Sequence, residues 1–131
     1  MMRLQLERAV AEWMVAKPAE LLFTTTISQA EILSGLAIMS HGRRRCDLEA
    51  AARSMFLEDF HGRVLPFDIQ AAETYADIFA VRRQADQPGT TLDLMIASIA
   101  RSRGMSVVTR DIDGFKGCGL TLINPWELPR M

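Results

Sequence analysis

The stretch from Thr90 to Asp111 limits the possible folds of this chain more than any other, because its hydrophobic period changes once. Leu92, Met95, Ile96 and Ile99 recur at the three-and-four spacing of one helical face, and Gly104 stands where such a helix would stop. Met105 to Thr109 is then short, apolar and β-branched with no helical spacing, which reads as a strand buried on both faces inside a parallel sheet. One acid, Asp93, opens the helix, and another, Asp111, closes the strand.

Upstream, Leu6, Val10 and Trp13 fall on one face of an amphipathic helix between Arg3 and Val15, which Pro18 ends. Leu21 to Thr26 reads as a strand. Ser28 with Glu31 three residues later reads as a helix start, its apolar face continuing through Ile32, Leu36 and Met39. His41-Gly42 breaks that helix. A second helix runs from near Arg44 or Asp47 to about Phe60, so the two form a hairpin with Leu33, Leu36, Leu48 and Met55 in its core. Gly62 to Asp68 reads as a short strand ended by Pro66, with Asp68 as the N-cap of a helix that buries Ala72, Tyr75, Ala76 and Phe79 and runs to Gln87-Pro88-Gly89. Asp113 to Gly119 is a glycine-rich turn, and Leu120 to Ile123 is the last strand, stopped by Asn124-Pro125-Trp126.

Strands alternating with longer helices predict a single α/β layered domain with a mainly parallel sheet, which suits 131 residues. The net charge of -1 excludes a broadly basic nucleic-acid binder. Arg43-Arg44-Arg45, Arg82-Arg83 and Arg101 with Arg103 remain as local basic patches, each more simply read as solvated helix surface. Cys46 and Cys118 belong to no Cys/His cluster, so neither a zinc site nor a disulfide framework is indicated. Charges at Arg3, Glu7, Arg8 and Glu12 break any signal-peptide core, and no apolar run reaches membrane-spanning length. A cytoplasmic protein without a membrane partner is expected.

In parallel sheets the ligand site lies at the carboxyl ends of the strands, and Glu31 and Asp111 both follow strand ends. Each acid has a local explanation. Glu31 three after Ser28 and Asp93 three after Thr90 fit capping boxes, and Asp111 fits a turn. As a set they carry different chemistry: carboxylates brought together repel unless a cation compensates. Hard oxygens without His or Cys suit Mg²⁺ or Mn²⁺ and hence phosphodiester hydrolysis, with Thr109 and Asp113 placed to orient a water or a phosphate oxygen. No Ser/His motif, G-x-G-x-x-G or P-loop competes with this reading.

The chain resembles the PIN-domain family, in particular the FitB/VapC-type toxins of bacterial toxin-antitoxin pairs. The resemblance rests on Thr25 to Gly35 around Glu31, on Arg63-Val64-Leu65-Pro66-Phe67-Asp68, on Thr91 to Ala97 around Asp93, on Val108-Thr109-Arg110-Asp111 and on Asn124-Pro125-Trp126. It implies a three-layer α/β/α PIN-like domain, Mg²⁺-dependent RNA cleavage, a cognate antitoxin partner and a homodimer. Glu31, Asp93 and Asp111 then become metal-site carboxylates, with Thr109 beside them. The family opens with a central strand ending in Asp-Thr-Asn, and this chain starts after it, so no residue here takes the role of that first aspartate. A competing reading is a catalytically degenerate relative that binds an antitoxin through the apolar helical hairpin around Leu33, Leu36, Leu48 and Met55 without cleaving RNA, although most of these residues are more simply read as intramolecular core. A receiver-like phosphoacceptor is weaker, since no Lys follows a strand end and no acidic pair closes an early strand.

Overall fold

The computed structural model describes residues 21–87, 89–109 and 111–124. The helix expected over Arg3 to Val15 with its Pro18 stop, Pro88, Arg110 and the Pro125-Trp126 ending lie outside the described residues.

The expected α/β alternation is present. The element order is β1 (Thr24–Thr25), α1 (Thr26–Ala37), α2 (Arg43–Ser54) continued by a π-helical turn (Met55–Asp59), β2 (Val64–Leu65), α3 (Ile69–Gln84), α4 (Thr91–Ser102), β3 (Val107–Val108), a single turn α5 (Ile112–Phe115) and β4 (Leu122–Ile123). All the pairing is parallel: Thr24 stands opposite Val64, and Val107 opposite Leu122. Among the described residues these are two separate two-stranded sheets, each strand shorter than its apolar run suggests.

α1 starts earlier than expected, at Thr26 rather than Ser28. Of the three consecutive threonines, Thr26 opens the helix and Thr25, in extended conformation, takes the cap by accepting from the Ser28 N–H at 3.0 Å. β1 is accordingly two residues long. Asp68 caps α3 as expected, its Oδ1 accepting from the Ala71 N–H at 3.0 Å, and its Oδ2 pairs with Arg103 at 3.1 Å. After α4 the backbone turns at Gly104 with φ of 67°, a left-handed conformation that glycine adopts without steric cost.

Two faces differ from the expectation. α3 buries Ala71, Ile78 and Arg82, while Ala72 and Ala76 are exposed and Phe79 is 42% exposed. The buried stripe of α3 contains an arginine, which hides it from a search for apolar period. In β3 Val107 is buried but Val108 is 42% exposed, so this strand is covered on one face, not two. The hairpin of α1 and α2 holds its own core of Ile32, Leu36, Ala52 and Phe56, with Leu48, Met55 and Met39 against it. The larger core joins α3, α4, β3 and α5 through Ile78, Leu94, Ala97, Ala100, Val107, Phe115 and Cys118. No helix among the described residues is long and apolar enough to cross a membrane.

Candidate metal centre

Asp93 is the third residue of α4, and its N–H donates to the Thr90 Oγ1 cap at 3.2 Å. Its carboxylate points the other way, across to Gly114. Asp111 caps α5: its Oδ1 accepts from the Gly114 N–H at 3.0 Å, while its own N–H donates to Thr109 Oγ1 at 3.0 Å. A Cβ built on Gly114 would lie 2.6 Å from Asp111 Oδ2 and 3.2 Å from Asp93 Oδ2. The two oxygens can be no farther apart than the sum of these distances, so they face each other across one bare Cα. Among the described residues neither carboxylate has a cationic partner.

Two hard oxygens without a counter-charge form a donor set that suits a divalent cation, which is commonly held by one or two carboxylates, waters and phosphate oxygens. Glu31 is not part of this pair. It is the sixth residue of α1, half-buried, and α1 packs against α4. Among the described residues no three His, Cys, Asp or Glu side chains converge closely enough to hold one ion. Because the helix begins at Thr26, Glu31 is also too far along to close a capping box, which removes its local explanation. Thr109 is half-buried and its oxygen is occupied by the Asp111 N–H. Asp113 is exposed, and its backbone carbonyl accepts from Arg82.

The basic patches are mostly committed to the fold. Arg45 pairs with Glu49 at 2.6 Å, Arg82 is buried, Arg101 donates to the Cys118 carbonyl and Arg103 pairs with Asp68. Burial pushes the Cys118 thiol pKa up, against the opposing pull of the nearby Arg82 charge. An open hollow of about 330 Å³ lies elsewhere, lined by Phe67, Ala72, Tyr75, Thr91 and Met95, with no acid in its wall.

A family model described as PIN domain matches residues 4–117. The chain is a PIN-domain protein. Its relatives include a Sinorhizobium fredii protein named VapC ribonuclease Y4jK, 39% identical over 92% of this chain and 86% of that one. The Neisseria gonorrhoeae protein named toxin FitB is 31% identical over 92% of this chain and 86% of its own length. The crystal structure of FitAcB from Neisseria gonorrhoeae superposes on this PIN domain with a TM-score of 0.88 at 29% identity, covering 96% of this chain and 91% of that one. The fold expected from the resemblance is thereby borne out. Two residues around this candidate centre escape a sequence reading. Gly114 was visible only as one glycine of a loose turn, and Arg82 only as half of a surface-like Arg-Arg pair.

Proposed function

We propose that this PIN-domain chain is a metal-dependent endoribonuclease, the toxin of a toxin-antitoxin pair, with Asp93 and Asp111 as its cation-binding carboxylates. The observation that carries the reading is the convergence of their two Oδ2 atoms over Gly114 with no cationic side chain of the described residues against either. The relatives' names, VapC ribonuclease and toxin FitB, support the substrate class and the biological role. Mg²⁺ or Mn²⁺ held there would supply an acidified water and neutralise charge at the scissile phosphate.

The chain's own residues do the positioning. Gly114 N–H ties down Asp111 Oδ1 and leaves Oδ2 free for the ion. Thr90 anchors the first turn of α4 and so fixes where Asp93 projects. Thr109, its oxygen already engaged by the Asp111 N–H, keeps a hydroxyl proton to donate to a water or a phosphate oxygen. Glu31 enters as a third carboxylate on the resemblance alone.

The expected result is cleavage of a quenched RNA reporter in Mg²⁺ or Mn²⁺ that chelation stops. Asp93→Asn or Asp111→Asn should lower kcat/KM by at least about a hundredfold. Cleavage that persists in a chelator, or full activity in both variants, refutes the reading. A cognate antitoxin and a second copy of the chain are the proposed partners. Ile38 at 87% and Leu57 at 68% exposure give the α1–α2 hairpin an apolar exterior. These side chains would serve antitoxin binding equally in the second reading, a degenerate antitoxin binder. That reading prevails if the wild type captures antitoxin but cleaves no RNA, and light scattering decides the dimer.

A further inference from the structure

Arg82 is 4% exposed in α3, and among the described residues no carboxylate pairs with it. A buried charge without an ionic partner is uncommon, because desolvation must be offset by strong hydrogen bonds. Its bonds go to one segment. Nη1 donates to the Lys116 carbonyl and approaches Cys118 Sγ at 3.9 Å, and Nη2 donates to the Asp113 carbonyl at 3.5 Å. Nε has no partner. The peptide groups at Asp113 and Lys116 lie on either side of Gly114, the residue that spaces the two site carboxylates. Gly89 leaves room for this arrangement, since a Cβ there would sit 3.2 Å from Arg82 Nη2 and 3.4 Å from the Gly114 carbonyl oxygen. Arg101 holds the far end of the same loop through the Cys118 carbonyl at 3.4 Å.

We infer that Arg82 is a positioning residue of the metal centre: by bridging the carbonyls that flank Gly114, its planar fork holds the Asp111 carboxylate against Asp93 for a divalent cation. The bridging rests on geometry, and its use rests on the nuclease reading above. A guanidinium can span two carbonyls in this way, whereas an ammonium with the same charge is a point donor. The bridge, more than the charge, therefore sets the spacing.

The test compares wild type, Arg82→Met, Arg82→Lys and Gly89→Ala by amide hydrogen exchange and by Mn²⁺ titration calorimetry. The Gly114 N–H, bonded to Asp111 Oδ1, is expected to exchange at least about tenfold faster in Arg82→Met and Arg82→Lys, while the Ile99 amide in α4 keeps its protection. Mn²⁺ affinity should fall about tenfold or more in both variants, with RNA KM unchanged and kcat reduced. If Arg82→Met does not fold, Gly89→Ala, which crowds Nη2 without removing the charge, should give the same loop-confined loss. Wild-type protection at Gly114 in folded Arg82→Met, wild-type behaviour of Arg82→Lys, or an unaffected Gly114 amide in Gly89→Ala overturns the inference. Loop-confined faster exchange in the Arg82 variants, with a wild type that binds no Mn²⁺ and cleaves no RNA, supports the bridge and overturns the nuclease reading instead.

Discussion

Gly114→Ala tests the candidate centre at its tightest point. The new Cβ would lie 2.6 Å from Asp111 Oδ2, 3.1 Å from its Cγ and 3.2 Å from Asp93 Oδ2, where ordinary contact begins at 3.4 Å. The Asp111 carboxylate must therefore retreat by about 0.8 Å, and Asp93 by less. Misplacing a reacting or ligating group by about 1 Å costs up to about a hundredfold in rate. The expected loss in kcat/KM on an RNA reporter is about tenfold to a hundredfold, with a parallel weakening of Mn²⁺ binding. Stability should barely move, because alanine in a helical turn gains about 0.5–1 kcal/mol and a weakened Asp111 cap loses about 1 kcal/mol. Gly35→Ala is the control, since a Cβ there, in the last turn of α1, meets nothing within 4 Å. It should raise the unfolding midpoint slightly and leave cleavage unchanged. A folded Gly114→Ala protein whose kcat/KM and Mn²⁺ affinity match the wild type would refute the placement of the site.

Thr25→Val removes the α1 cap without changing its shape and should cost about 1 kcal/mol in urea unfolding, whereas no change would move the helix start back toward Ser28. Leu36, 1% exposed in the hairpin core, should cost about 2–5 kcal/mol as Leu36→Ala; a loss under 1 kcal/mol would mean that the hairpin does not pack as described. Cys46 is exposed and Cys118 buried, so a thiol reagent should modify Cys46 quickly in the native protein and Cys118 only after unfolding. Because the folded pKa of Cys118 is raised, its contribution to stability is intact below the ordinary thiol pKa of about 8.5 and is lost as pH rises toward the folded value. Thermal unfolding of Cys118→Ala should show a smaller alkaline decline than wild type, and an identical decline would contradict this.

The elements legible in the sequence are those set by nearby residues. Asp68 as a cap, Gly104 as a stop and the α1–α2 hairpin all follow from spacing or from a single side chain, and all are present. The β1/α1 boundary was not legible, because each of Thr24, Thr25 and Thr26 can serve in a strand or as a cap, and only the Ser28 N–H decides between them. The buried face of α3 was hidden by Arg82, whose partners lie more than thirty residues away in sequence. Asp93 and Asp111 were recognisable as acids, yet their meeting over Gly114 depends on the same long-range links. Pattern and spacing carry no record of such carbonyl contacts.

Among the described elements the packing of α3 against α4 is the most extensive, and only a short loop separates them in sequence. Contacts between sequence neighbours cost little loop-closure entropy and form fast, whereas parallel strand pairing joins distant segments and forms slowly. Asp93 thus rides on a unit able to condense early, while Asp111 arrives with the segment that must wait for β3 and β4 to register. On the nuclease reading this order delays activity: the two carboxylates meet over Gly114, ready for a cation, only after β4 has paired with β3.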